Sequence, residues 1–110
     1  MQRPASLRRH ADFARLRRYG RRIATKSFNL YLGDARGGDV SSLVGITISK
    51  SIGRAVVRNK LRRRVSAILG ELLPSQQQMR VVVVARPDAA ALTFTDLRAE
   101  LHRALGLPSA

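Results

Sequence analysis

Apolar side chains recur at every second position in two early segments of the chain, which is the spacing of a β-strand with one buried face. The first segment covers residues 23–33, where Tyr31 falls on the side opposite the apolar positions. The second covers residues 43–49, and the stretch 34–42 between them contains two glycines and is typical of a turn. The pattern therefore predicts that the two strands pair as an antiparallel hairpin.

Apolar residues spaced three or four apart predict the main helix over residues 54–73. At about 100° per residue, its apolar stripe consists of Val57, Leu61, Val65, Ile68 and Leu72. The opposite side carries Asn59, Arg62 and Arg63, so polar and basic side chains face outward there. Pro74 ends the helix, because proline lacks the N–H group that would continue it.

Three further elements follow from local patterns. The pattern over residues 11–19 predicts a short helix. Asp12 lies near its start and Arg17 and Arg18 near its end, and charges in those places interact favourably with the helix dipole. The run VVVVA at residues 81–85 is apolar at every position, as expected for a central strand that is buried on both faces. A last helix begins at Thr93 or Thr95, either of which can cap its first turn, and extends to about Leu105.

The predicted order of elements is helix, strand, strand, helix, strand, helix, with room for one extra short strand. Such an order is typical of an α+β fold in which helices and a mixed central sheet form a two-layer sandwich. A chain of 110 residues fits one domain. We therefore predict a single domain over residues 1–110, with residues 1–6 as a flexible arm and residues 107–110 as a tail.

The net charge identifies the kind of partner. Lysine and arginine together number 21 against 7 acids, which gives a formal charge of +14. Such a charge opposes compaction of a small domain, so a polyanionic partner is expected. The chain has no cysteine, which excludes disulfides and thiolate metal sites and is compatible with the reducing cytoplasm where we place it. No apolar run approaches the ~20 residues of a membrane span.

Catalytic groups are sparse. His10 and His102 stand alone, and the seven acids form no close pair suited to a two-metal nuclease site. The sequence contains neither a nucleophile elbow nor a phosphate-cradling glycine loop. We therefore predict no catalytic residue and no metal ligand in the chain, which argues against an autonomous nuclease.

The region from residue 50 to residue 64 holds seven bases and no acid. Guanidinium groups together with the amide of Asn59 suit a phosphate backbone, or a hydrated metal ion held on one. A solvated basic face is the alternative interpretation. Unrelieved like charges one turn apart destabilise a helix, so an external anion is the better explanation.

The same region resembles the signature of a known family, the protein component of bacterial ribonuclease P. The matching residues, in the family's order and spacing, are Ser49-Lys50, Gly53, Ala55-Val56 and Arg58-Asn59-Lys60-Leu61-Arg62-Arg63. Asp12-Phe13 also resembles the family's N-terminal helix, and VVVVAR at residues 81–86 resembles its late strand. The resemblance covers roughly residues 7–105 and is strongest over residues 45–65.

The resemblance implies an endoribonuclease in which this chain is the protein subunit of a ribonucleoprotein. The enzyme removes the 5′ leader of precursor tRNA, and the RNA subunit with its bound Mg²⁺ carries out the hydrolysis. The implied partners are therefore the catalytic RNA and precursor tRNA, with no membrane, no small-molecule substrate and no cofactor on the protein. The family fold also implies a left-handed strand–helix–strand crossover, an exception to the usual right-handed rule.

The resemblance also assigns roles to individual residues. The implied RNA-binding set is Lys50, Arg54, Arg58, Asn59, Lys60, Arg62, Arg63 and Arg64. The implied leader-binding set is Phe13, Arg17, Tyr31 and Arg86. Arg17 stands where many members have an aromatic residue, so stacking there is either reduced or replaced by stacking of the arginine. Leu43, Ser51 and Ser66 stand where the family often has a base.

Two other nucleic-acid functions share the charge but not the motif. A structural RNA-binding protein, such as one of the ribosome, would not need the Ser-Lys, Gly, Ala-Val and Arg-Asn pattern. A sequence-nonspecific DNA-binding module is disfavoured, because the chain shows no helix-turn-helix and no dimer seam.

Overall fold

A five-stranded mixed sheet forms the centre of the molecule in the computed structural model, which describes residues 5–7, 9–39, 42–73 and 78–106. The elements along the chain are β1 (Ala5–Ser6), α1 (His10–Tyr19), β2 (Arg21–Ala24), β3 (Phe28–Asp34), β4 (Leu43–Thr47), α2 (Ala55–Leu72), β5 (Met79–Ala85) and α3 (Phe94–Ala104). Short 3-10 turns at Lys50–Ile52 and Pro87–Ala91 precede α2 and α3. The α+β class is confirmed.

The strand order is β1-β4-β5-β3-β2, so the predicted hairpin between β3 and β4 is wrong. β5 lies between them, antiparallel to β3 and parallel to β4, with Val83 opposite both Leu30 and Ile46. The reason is burial: β5 is the most apolar strand, and at the centre of the sheet its two faces are covered by α1 on one side and by α2 and α3 on the other. β4, α2 and β5 form the strand–helix–strand unit that the resemblance implies, and its hand stays a prediction.

The predicted strand over residues 23–33 is two strands. β2 and β3 pair antiparallel around a tight turn in which the Thr25 N–H donates to the Phe28 carbonyl over 2.8 Å. The Phe28 N–H in turn donates to the Thr25 hydroxyl over 3.0 Å, which stabilises the reversal. β2 consequently forms one edge of the sheet.

The predicted arm over residues 1–6 is partly corrected. Ala5 and Ser6 pair in parallel with β4, and the Leu7 N–H extends the ladder to the Val44 carbonyl over 2.9 Å. Leu7 is buried, which explains why the chain is held here. Residues 1–4 and the predicted tail at 107–110 lie outside the described residues, as does Pro74.

The main core lies between one face of the sheet and the helices α2 and α3. Its fully buried members include Phe28, Leu30, Val81, Val83, Val65, Ile68, Leu69, Leu97 and Leu101. The predicted buried stripe of α2 is confirmed at Leu61, Val65 and Ile68, which are buried. It is wrong at Val57, which is 39% exposed. Val57 instead lines a surface groove together with Ala89 and Ala90 of the second 3-10 turn. As predicted, Thr93 caps α3, accepting from the Asp96 N–H over 3.2 Å.

Helix α1 packs on the opposite face of the sheet and so adds a layer to the two that were predicted. Leu16 is its one buried residue and forms a small cluster with Leu7 and Val82. Gly33 and Gly45 make the close approach possible, because a Cβ at either position would overlap Leu16 or Phe13. Within the described ranges, no helix is both long and apolar enough to cross a membrane.

Candidate nucleic-acid interface

The basic residues around α2 reach the surface because the apolar stripe of the helix faces inward. Leu61 and Val65 are buried, and the neighbouring positions on the helix circumference point outward. The exposed members of the predicted RNA-binding set are Lys50, Arg54, Asn59, Lys60, Arg62 and Arg63. Arg58 and Arg64 are half-buried. The whole set therefore lies on the turn before α2 and on the first half of that helix.

Hydrogen bonds hold two of the arginines. Nη1 of Arg62 donates to Oδ1 of Asn59 over 3.2 Å, which orients the guanidinium. Nε of Arg58 donates to the Gly53 carbonyl over 3.2 Å, so Arg58 joins α2 to the preceding turn. Ser51, where the resemblance led us to expect a base, shares a 2.7 Å hydrogen bond with the hydroxyl of Ser49. Arg62 is exposed, and its remaining N–H groups are available to an external phosphate.

No carboxylate neutralises this surface within the described ranges. The ion pairs found there belong to Arg80 and Arg98, whereas the bases from Lys50 to Arg64 have no acidic partner. Like charges on successive turns of a helix repel one another, and a polyanion relieves that repulsion. The surface is therefore electrostatically suited to a phosphate backbone.

A cleft of about 360 Å³ adjoins this surface at the edge of β4. Phe13 of α1 lines one side, Arg62 and Arg63 of α2 line the other, and Gly45 lies in the floor. β1 pairs with β4 only as far as Val44, so the floor is the part of β4 that β1 leaves uncovered. Its described lining is completed by Ser6, Leu7, Val44, Ile46 and Ser66. The structure thus brings together Phe13 and two arginines that are far apart in sequence.

Two features of this cleft were not anticipated from the sequence. Gly45 was assigned no role, although the Phe13 ring lies directly on it. Ser66, where the family often has a base, lines the cleft, so Arg62 and Arg63 are the cations of its described lining. The only sequence signal for Gly45 was a glycine inside a strand pattern, which often marks a close approach.

Tyr31 lies on the same face of the sheet as α1. The Arg17 guanidinium carbon is 6.0 Å from the centroid of the Tyr31 ring, at the outer limit of a cation–π contact. Tyr31 is half-buried and Arg17 is exposed. An arginine over a tyrosine therefore occupies the place where the resemblance led us to consider two aromatic rings.

Of the predicted sets, only Phe13, Arg62 and Arg63 are in the described lining of the cleft, and three of the other members lie at other identifiable places. Lys60 and Arg64 line a separate groove beside Val56 and Val57, on the side of α2 that faces the second 3-10 turn. Arg86 donates from Nη1 to the Thr25 carbonyl over 3.3 Å, at the turn between β2 and β3. Since Arg86 follows β5, it lies at the end of the sheet opposite the β5 residue Arg80.

An ion-pair cluster on the α1 side of the sheet was also missed. Arg80 on β5 binds Asp12 on α1 at 3.1 Å and Asp39 at 2.9 Å, and it contacts Asp39 through two nitrogens. The hydrogen bonds from Arg80 and from the Arg36 N–H lower the pKa of Asp39 to about 2. Asp39 in turn raises the pKa of Arg80. No local pattern reveals these contacts, because their partners come from three separate segments.

The described residues contain no group of three or more histidine, aspartate or glutamate side chains arranged to hold a metal ion. The groups that this surface does offer are guanidinium groups, which suit phosphates, and the rings of Phe13 and Tyr31, which suit bases.

Comparison with known proteins gives one family. The family model described as Ribonuclease P matches residues 1–107. The chain is 38% identical over 103 residues to the ribonuclease P protein component of Acidothermus cellulolyticus, which covers 91% of this chain and 84% of that protein. It is 38% identical over 104 residues to the protein of the same name from Erythrobacter litoralis, covering 93% and 84%.

The fold is similar to that of solved structures. The RNase P protein of Staphylococcus aureus superposes with a TM-score of 0.82 at 27% identity, covering 92% of each chain. The RNase P protein of Thermotoga maritima, at 23% identity, superposes with a TM-score of 0.75 over 94% of this chain and 98% of that one, and shows the fold alone.

Proposed function

The chain belongs to the ribonuclease P protein family, and on that premise we propose that α2 holds the RNA subunit while the cleft beside it holds the 5′ leader of precursor tRNA. As the protein component of ribonuclease P, it is part of a ribonucleoprotein endoribonuclease of tRNA processing and is a partner of the RNase P RNA. A structural RNA-binding role without processing is not favoured.

One observation carries the proposal: an aromatic residue and two arginines line the same cleft. Phe13 provides a ring for stacking, and Arg62 and Arg63 provide charge for phosphates. A single RNA strand presents both features together, because each nucleotide carries one base and one phosphate. A ligand with phosphates alone would not need the ring.

The RNA subunit is assigned to the outward side of α2. The arginines there have no acidic partner among the described residues, and Asn59 holds the guanidinium of Arg62 in place. A held guanidinium loses less conformational entropy on binding than a mobile one. Phosphate contacts of this kind make RNA affinity strongly dependent on salt.

The leader is assigned to the α1 side of the cleft. Phe13 lies in its lining, and Tyr31 continues the aromatic surface along the sheet under Arg17. Arg86, bound to the Thr25 carbonyl at the far end of β5, would meet only a leader that crosses the whole sheet. Phe13, Tyr31 and Arg17 are therefore our primary leader-binding residues.

We place the hydrolysis on the RNA subunit, where bound Mg²⁺ supplies Lewis-acid chemistry. The side chains of this chain bind and orient the substrate, and we assign none of them to a proton transfer. The same proposal places the protein in the cytoplasm, with its RNA partner.

The test is reconstitution with the cognate RNase P RNA at low magnesium. We expect the protein to raise the rate of leader removal from precursor tRNA, and to raise affinity for precursor tRNA above that for mature tRNA. Phe13→Ala should reduce that difference and leave binding to the RNA subunit unchanged, whereas Arg62→Ala should weaken binding to the RNA subunit as well, because Arg62 lies both on α2 and in the cleft. Protein that binds the RNA but leaves leader removal unchanged would contradict the proposal and favour a purely structural role.

A further inference from the structure

We propose that Arg80 is a positioning residue for leader binding: through Asp12 it fixes α1 on the sheet and thereby sets the Phe13 ring in the cleft. The inference rests on the proposed leader site. It concerns a residue that lies outside that site and outside the cleft's described lining.

The contacts form a continuous chain from β5 to the cleft. Nη1 of Arg80 is 3.1 Å from Oδ1 of Asp12, the residue immediately before Phe13. Nε and Nη2 of Arg80 both donate to the carboxylate of Asp39 over 2.9 Å. Asp39 also accepts from the Arg36 N–H over 2.9 Å, which closes the loop that follows β3. Arg80 is thus held by Asp39 on one side and holds Asp12 on the other.

Burial makes this cluster more than a surface ion pair. The side chains of Arg80, Asp12 and Asp39 are only 12%, 19% and 8% exposed. Charged groups with so little exposure are poorly screened by salt. If one member of the cluster is removed, a remaining member keeps its charge without a nearby opposite charge. The pair between Arg98 and Glu71 provides the contrast, since those side chains are 42% and 40% exposed.

Helix α1 has few other attachments. Leu16 is its one buried side chain, and no side chain caps its first turn. The contact with Arg80 is at that uncapped end, one residue from Phe13, whereas Leu16 anchors the helix a turn later. Without the ion pair, the end that carries Phe13 would be held mainly by the ring's own contact with Gly45.

Asp12→Asn is the sharpest variant, because it removes the ionic attraction that links Arg80 to α1 and leaves the pair between Arg80 and Asp39 intact. We expect the KM of the holoenzyme for precursor tRNA with a full leader to rise roughly three- to tenfold, the scale of one weakened base stack. The kcat at saturating substrate and the KM for a substrate with a one-nucleotide leader should not change. Arg80→Met should raise this KM to a similar extent. The double variant with both substitutions should raise it no further than the more affected single variant does.

The position of the ring can be measured without RNA. The chain has no tryptophan, so Phe13→Trp introduces a single reporter. In that background Asp12→Asn should shift the emission to longer wavelength and increase quenching by acrylamide. Arg98→Met, which removes an ion pair elsewhere, is the matched control and should change neither the emission nor the KM.

The outcomes separate the inference from the proposed function. If wild-type holoenzyme binds both substrates equally, the leader site itself fails and the inference fails with it. If wild type prefers the full leader and the Asp12 and Arg80 variants do so equally, only the positioning role is overturned. A rise in KM that is the same for both substrates, or emission unchanged by Asp12→Asn, overturns it as well.

Discussion

Nη1 of Arg62 donates a hydrogen bond to Oδ1 of Asn59, one turn earlier on α2, over 3.2 Å. Both residues are exposed, so the bond contributes little to stability and serves mainly to orient the guanidinium. Of the arginines on α2, Arg62 alone is both held by a neighbouring amide and part of the cleft lining.

We therefore expect Arg62→Ala to weaken binding to the RNase P RNA without changing the stability of the fold. Loss of one phosphate contact should reduce the slope of log affinity against log salt by about one. Asn59→Ala should give a smaller loss of affinity, because the guanidinium remains but is no longer oriented. Binding titrations over a range of salt concentrations measure both effects. Arg103→Ala, an exposed arginine on α3, is the control, and an equal loss there would rule out a specific role for Arg62.

Arg58→Ala should differ from Arg62→Ala. The Nε of Arg58 donates to the Gly53 carbonyl, so the variant loses a structural hydrogen bond as well as a charge. We expect the free energy of unfolding in urea to fall by about 1 kcal/mol, in addition to weaker RNA binding. If Arg58→Ala has the same free energy of unfolding as the wild type, this hydrogen bond does not contribute to stability.

Gly45→Ala should displace the Phe13 ring from its position on β4, because the new methyl group would overlap the ring. Overpacking of this kind typically costs about 1–3 kcal/mol of stability. In a Phe13→Ala background the same substitution should be nearly neutral, since the ring is gone. Urea unfolding of the four proteins in this double-mutant cycle gives the coupling. Additive effects would mean that Phe13 does not lie on Gly45.

Acid should destabilise the protein partly through Asp39. Its pKa is about 2 in the folded protein against 3.8 ordinarily, so the unfolded chain takes up a proton first as the pH falls. The stabilisation is complete above the ordinary value and is lost progressively as the pH falls from about 5 to about 2. We expect Asp39→Asn to be less stable at neutral pH and to lose less stability in that window. Urea unfolding across the window tests this, and parallel curves for the two proteins would contradict it.

Glu71 requires a separate control in that experiment. Its pKa is also lowered, by the hydrogen bond from Arg98, so it contributes to acid sensitivity in the same direction. Glu71→Gln should remove only that contribution and leave the one from Asp39 unchanged.

Local patterns in the sequence predicted the features that depend on neighbouring residues alone. The unbroken apolar run at residues 81–85 identified the central strand, and helical spacing identified Leu61 and Val65 as buried. Strand pairing was not local. β3 and β4 are neighbours in sequence, but β5 has more apolar surface to bury and takes the place between them.

The candidate site divides in the same way. The motif resemblance selected the bases of α2, and the structure divides them between the cleft, where Arg62 and Arg63 lie, and a separate groove lined by Lys60 and Arg64. The packing of Phe13 on Gly45 and the ion pair between Arg80 and Asp12 join residues that are far apart in the sequence. Spacing along the chain does not encode which glycine lies under which ring, or which acid meets which base.

The edge strand β2 carries Arg21 and Arg22, both of which are exposed. An uncovered sheet edge offers unpaired N–H and C=O groups to the edge of another molecule. Two molecules that joined along β2 would bring these guanidinium groups together, and their repulsion opposes the union. The positive charge that draws this protein to RNA therefore also protects it from aggregation before an RNA partner is bound.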